Sequence, residues 1–162
     1  MRYIGIDPGQ SGGIALISPS GAETAPMPLH PKDQRKAWGS PIDWMSVFHI
    51  LKKWGTPGAS VAIEQVHAMP GQGVTSMFSF GGNYTGLLTI LQVLDLEYVL
   101  VSPRKWKNAV LGDFYSHDKA GAVAFCDSRY PDCNLLATSR SRVPHDGMAD
   151  ALCIAEYAKE CL

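Results

Sequence analysis

The sequence predicts an α/β fold, a five-stranded mixed sheet with helices on both faces, and three observations carry that reading. Residues 2–27 form three short apolar runs separated by glycine turns, the pattern of an antiparallel meander. Residues 40–161 then alternate helical and strand patterns, as βαβ units do. Finally, 46% of the 162 residues are apolar, enough to cover both faces of one sheet in one domain spanning 1–162.

The first strand is Arg2–Asp7, with Gly12–Ile17 as its hairpin partner and Ala22–Met27 as a third strand after the turn at Pro19-Ser20-Gly21. Residues 28–39 are polar, carry Pro28 and Pro31, and read as a loop. Ser40-Pro41-Ile42-Asp43 reads as a helix start, with Ser40 at N-cap, Pro41 at N1 and Asp43 at N3. Ile42, Met45, Phe48 and Leu51 continue along one face until Gly55 and Pro57 stop the helix. Ser60–Glu64 is a short β-branched strand. A Gly- and Pro-bearing loop leads into a long apolar helix over 76–94, in which Gly81, Gly82 and Gly86 suggest close approach of another backbone. Glu97–Val101 is the next strand, and Ser102-Pro103 opens a helix carrying RKWKNAV. A helix over 118–127, a basic loop over 128–144 and a helix over 146–161 complete the chain.

The net charge of −1 does not announce a polyanion partner, although carboxylates committed to metal ions would leave the remaining surface basic. Cys126, Cys133, Cys153 and Cys161 fit no zinc spacing and read as reduced structural thiols. No apolar run reaches the ~20 residues that span a bilayer, and the N-terminus begins a strand rather than a signal peptide. The expectation is a protein of the cytoplasm, or of an organelle if a targeting segment has been removed.

Four acids stand out. Asp7 and Glu64 each end an otherwise hydrophobic strand. If the strands are neighbours, their ends lie about 5 Å apart, and two such carboxylates repel unless a cation lies between them. Asp146 and Asp150 are four apart at the start of the last helix and project from one face. Hard oxygen ligands of this kind suit Mg²⁺ or Mn²⁺. Asp7 before Pro8-Gly9 also suits a plain turn, Glu64 an edge charge and Asp146 an N-cap. Asp150, inside the Ala-rich MADALCIA, is harder to explain in this way, because it interrupts a packing face with a costly charge. DPGQSGG also resembles the phosphate loops of actin-like ATPases, but no second loop of that type follows.

IGIDPGQSGGIAL, VAIEQV, SPRKWKNAVLG and HDGMADALCIAEYA, in this order and spacing, resemble the RuvC-like Holliday junction resolvases, most closely the phage and organellar branches. The resemblance spans residues 3–158 and is weakest over 28–58 and 113–142. It implies a ribonuclease H-like fold and a homodimer that nicks four-way DNA junctions symmetrically, leaving 5′-phosphate and 3′-hydroxyl ends. It matches Asp7, Glu64 and Asp150 to the family's metal-binding acids. For the fourth ligand Asp146 is assigned, with His145 as its competitor. Two ions would hold the scissile phosphate, bridged by Asp7.

DNA contact needs positive charge beside those acids. Arg104, Lys105 and Lys107 interleave with Trp106, expected in the core, and suit phosphate contact. Arg140 and Arg142 precede the last helix and suit the same role, while Lys32, Arg35 and Lys36 suit a distal DNA arm or a plain solvated loop. Met69 or Phe78 could wedge between unstacked bases. Phe78 and Phe80 also fit a core or dimer role, the preferred one for Phe80. The long helix carrying Gly81, Gly82 and Gly86 is the expected dimer contact of the family.

Overall fold

Successive residues of a strand face opposite sides of its sheet, and here the two sides are built from different sizes of residue. The computed structural model describes residues 1–35, 40–67, 71 and 73–162. Its strands are β1 (Tyr3–Asp7), β2 (Gly13–Ser18), β3 (Gly21–Pro26), β4 (Ser60–Glu64) and β5 (Tyr98–Val101). Its helices, in chain order, are α1 (Trp44–Trp54), α2 (Val74–Val93), α3 (Pro103–Val110), α4 (Lys119–Arg129) and α5 (Asp146–Cys161).

The sheet order is β3-β2-β1-β4-β5. β1 pairs antiparallel with β2 and parallel with β4, and β4 pairs parallel with β5, so the sheet is mixed, as the sequence predicts. Ile4 and Ile6 of β1, Ile14 and Leu16 of β2, and Val61 and Ile63 of β4 form one face, buried against Val47, Leu51 and Trp54 of α1 and Leu87 and Leu91 of α2. Ala15 and Ala62 lie on the other face, buried with Trp106 of α3, Phe125 of α4 and most of α5.

Small residues on that second face bring α5 close to the sheet. A Cβ on Gly5 would collide with the backbone of Ala151 and Ala155, and one on Gly13 would lie 2.7 Å from the Gly147 carbonyl oxygen. Gly147 in turn sits on the backbone of Ser11 and Gly12. Helix α5 is therefore the central helix, and residues 147–149 and 151–158 of it are all buried. Its far end is fixed by a buried carboxylate: Glu156 accepts from the Tyr130 hydroxyl and pairs with Lys159 at 3.0 Å and Arg129 at 3.4 Å. A buried charge is tolerated only when partnered in this way.

Helix α1 begins later than the sequence predicts. Asp43 is its N-cap, accepting from the Met45 and Ser46 N–H groups at 3.1 and 3.2 Å. Ser40 instead accepts from the Ile42 N–H and donates to Asn83, while Ile42 makes an antiparallel bridge with Leu29. Asp43 satisfies two N–H groups that a helix start leaves without partners, so it wins the cap. A Cβ on Gly86 would lie 3.0 Å from the Trp44 ring, so its missing side chain serves packing within the chain; one on Gly81 or Gly82 would meet open space.

The α5 contact makes a sharp expectation for stability. Gly5→Ala should destabilise the protein by about 3 kcal/mol, because backbone must move to admit the methyl group. Gly81→Ala, in an open helical position, should leave stability unchanged or raise it by about 1 kcal/mol. Urea titration of both variants checks this, and equal effects would contradict the close packing of α5.

Candidate active site

Strand parity decides where the first two acids point. Asp7 lies on the same face as Gly5, and Glu64 on the same face as Ala62, so both side chains stand on the α5 side. The register Ile6↔Ile63 continues to place Asp7 beside Glu64 at the C-terminal ends of two adjacent parallel strands. Helix α5 then supplies the third acid. Its Gly147 rests on the β1–β2 turn and its Ala151 on Gly5, which fixes Asp150 between them over the end of β1. The turn itself needs Gly9 at φ 117° and is closed by the Gly12 N–H donating to the Gly9 carbonyl at 3.2 Å.

The three carboxylates sense one another. Asp7 is pushed up to about 8, first by burial and then by the charges of Glu64 and Asp150. Asp150 is pushed up to about 6, again chiefly by burial, with Glu64 and Asp146 adding to it. Lys107 and Lys119 pull both groups the other way without cancelling the effect. Glu64 has one oxygen engaged: Oε1 accepts from the indole N–H of the wholly buried Trp106 at 2.9 Å. Trp106 is thus a core residue, as the sequence suggests, and also the residue that orients Glu64.

Asp146 is placed differently. Its Oδ2 pairs with the Lys119 ammonium at 2.7 Å, and the side chain is half-exposed at the mouth of the site. His145 is the N-cap of α5, its Nδ1 accepting from the Met148 N–H at 3.3 Å, so the cap role that Asp146 also suits belongs to its neighbour. A cleft of about 1000 Å³ opens over these groups, lined by Asp7, Asp146, Asp150 and Lys119, by the 8–12 turn, and by Thr75, Ser76, Ser79, Phe80 and Asn83 of α2.

Among the described residues, no three His, Cys, Asp or Glu side chains are gathered tightly enough to ligate one ion as they stand. The donor chemistry nevertheless suits a hard cation. Asp7, Glu64 and Asp150 are all carboxyl groups, Lys107 and Lys119 only partly offset their mutual repulsion, and among the described residues no side-chain hydrogen bond engages the Asp7 or Asp150 carboxyl.

The cationic residues divide. Lys107 acts on Asp7 and Asp150, while Lys105 lies over the Tyr157 ring at 5.8 Å and Arg104 is exposed. Arg140 and Arg142 are exposed and do not line the cleft. Lys32 is exposed and Arg35 donates to the His30 carbonyl, whereas Lys36 and Met69 lie outside the described residues. Phe78 is 85% exposed on the first turns of α2, and Phe80, half-buried, lines the cleft rather than the core. Sequence reasoning missed Lys119. Lys119 occupies the first position of a helix, where the dipole disfavours a cation, but its acidic partner lies 27 residues away and nothing local marks it.

Solved structures resemble this chain in overall fold, three of them as follows. One is Thermus thermophilus RuvC in complex with a Holliday junction substrate, at TM-score 0.63 and 17% identity, covering 99% of this chain and 96% of that one. A second T. thermophilus RuvC structure matches at TM-score 0.56 and 20% identity over 98% and 96%. The fold is RuvC-like. The yeast mitochondrial Holliday junction resolvase Ydc2 matches at TM-score 0.57 and 13% identity over 94% of this chain and 75% of that one. No protein-family model matches the sequence, and no curated protein does. The RuvC-like fold is the ribonuclease H-like architecture that the sequence motifs imply. Among the described residues, no helix is long and apolar enough to cross a membrane.

The raised carboxyls set a pH dependence. The folded protein holds the Asp7 proton between the ordinary 3.8 and about 8, where the unfolded chain has released it. Stability of the ion-free protein therefore falls as pH rises through that window. Asp150 is half ionised only at about pH 6 and adds to the lower part of the fall, so the upper part of the slope, toward about pH 8, belongs chiefly to Asp7. Asp7→Asn should flatten the fall in melting temperature between pH 6 and 8; an unchanged slope in the variant would contradict the clustering.

Proposed function

We propose that this chain is a structure-selective endonuclease that resolves four-way DNA junctions as a homodimer, by paired symmetric nicks, using divalent metal ions. The observation that carries the reading is the meeting of Asp7, Glu64 and Asp150 at the strand ends, under an open cleft, on a RuvC-like fold. The similar RuvC chain is bound to a Holliday junction, which supports branched DNA as the substrate.

Asp7, Glu64 and Asp150 would hold Mg²⁺ or Mn²⁺, with Asp146, now paired with Lys119, as the fourth candidate ligand. The cleft lining favours Asp146 over His145 as that fourth ligand, because Asp146 borders the cleft and the His145 Nδ1 is occupied by its cap. Bound there, the cations supply a Lewis acid for the phosphate and a water acidified enough to attack it. The chain does the rest. Trp106 holds Glu64 in place, Lys107 and Lys119 offset the negative charge of the incoming strand, and the hydroxyls of Thr75, Ser76 and Ser79 offer hydrogen bonds to its backbone. Arg104 extends the cationic surface beside Lys107. The open face of α2 at Gly81 and Gly82 is the surface on which two copies would meet, placing two sites on one junction.

The test is cleavage of a mobile four-way junction, a fork and a duplex with Mg²⁺, with Asp7→Asn as control. The expected outcome is paired, nearly symmetric nicks on the junction, and loss of about 100-fold or more in rate for the variant. Equal cutting of all three DNAs would replace junction resolution by a broader nuclease activity on branched DNA, and an active Asp7→Asn would remove the proposed site.

A further inference from the structure

The loop between α3 and α4, residues 111–118, carries an aromatic ring that nothing in the fold uses. Phe114 is 95% exposed. Exposure at a loop tip usually goes with a loosely held backbone, but this loop is tied down on both sides of its tip. The Lys107 ammonium donates to the His117 carbonyl at 3.1 Å, and the His117 ring meets the Gly112 carbonyl at 2.8 Å. Ser116 donates to Asp118 at 2.6 Å, and Asp118 caps α4 through the Gly121 N–H at 3.0 Å. Tyr115 turns inward, edge-on to Phe125 with ring centroids 5.6 Å apart. With Tyr115 committed inward, its neighbour Phe114 is held out in solvent.

The loop's position gives the ring a context. It is bracketed by Lys107, which acts on Asp7 and Asp150, and by Lys119, which lines the cleft and pairs with Asp146. We propose that Phe114 is a stacking platform for an unpaired nucleobase of the DNA strand that enters the cleft between these lysines. The inference rests on the nuclease reading above and adds to it a residue that reads the distorted part of the substrate. The lysines take the phosphates and the ring takes the base, the combination by which single-stranded segments are held. Its sequence neighbours oppose a protein contact: Asp113, Ser116, His117 and Asp118 are exposed polar residues, whereas protein-binding rings sit in wider apolar patches.

The experiment measures binding of a four-way junction in the Asp7→Asn background, which leaves the DNA uncut, with and without Phe114→Ala and Phe114→Trp. 2-Aminopurine replaces bases on either side of the branch point. Truncation of the ring should weaken junction binding about 5- to 100-fold, leave the salt dependence unchanged because no phosphate contact is lost, and abolish a 2-aminopurine signal that Phe114→Trp retains. The melting temperature should not move, since the side chain is exposed. Equal affinity and equal fluorescence change with and without the ring would overturn the proposal while leaving the nuclease reading in place. Failure of the parent protein to bind any branched DNA would retire both.

Discussion

The close seating of α5 on the sheet is the constraint from which the rest of the molecule follows. It exists because Gly5, Gly13 and Ala15 present almost no side chain on one face, while Gly147, Ala151 and Ala155 present almost none on the helix. Backbone meets backbone, and the helix can slide neither along nor away from β1 without losing that fit. The opposite face of the same strands is filled with isoleucines and packs conventional helices. A strand pattern of large residues on one side and glycine or alanine on the other therefore specifies which helix lies where. Asp150 is carried to the end of β1 by this fit, and Glu156 anchors the helix at its other end through Tyr130, Lys159 and Arg129.

That geometry gathers carboxyl groups whose full ionisation the fold by itself does not support. Burial and mutual repulsion hold Asp7 far above an ordinary carboxyl, and two lysines nearby reduce the effect without removing it. Lys119 meanwhile holds Asp146 as a counter-ion at the mouth of the cleft. The site is arranged as an acidic floor with a cationic rim. Such an arrangement suits a negatively charged chain that must be drawn in over a set of carboxylates, because rim and floor act on different parts of it.

Much of this was legible in the sequence. Five strands, the mixed pairing and the final helix follow from hydrophobic periodicity and glycine turns, since these features act locally. Asp7, Glu64 and Asp150 were legible because each breaks an apolar pattern. Ser40 misled because Ser-Pro with a following acid imitates a cap, whereas Asp43 takes the two free N–H groups and Ile42 is paired with Leu29. The indole bond to Glu64 and the pairing of Lys119 with Asp146 link residues that the sequence keeps well apart, 42 and 27 positions respectively. No local pattern encodes such contacts. Gly86 reads as a site of close approach by another backbone, but the neighbour is the side-chain ring of Trp44 of the same chain.

The central claim is that the strand ends and α5 form one cation site. Crystals soaked in Mn²⁺ and measured at the manganese absorption edge test it most directly. Anomalous density within coordination distance of Asp7 and shared with Glu64 or Asp150 is the result the geometry requires. A map in which well-ordered Asp7, Glu64 and Asp150 carboxylates surround no anomalous peak at saturating Mn²⁺ would contradict it.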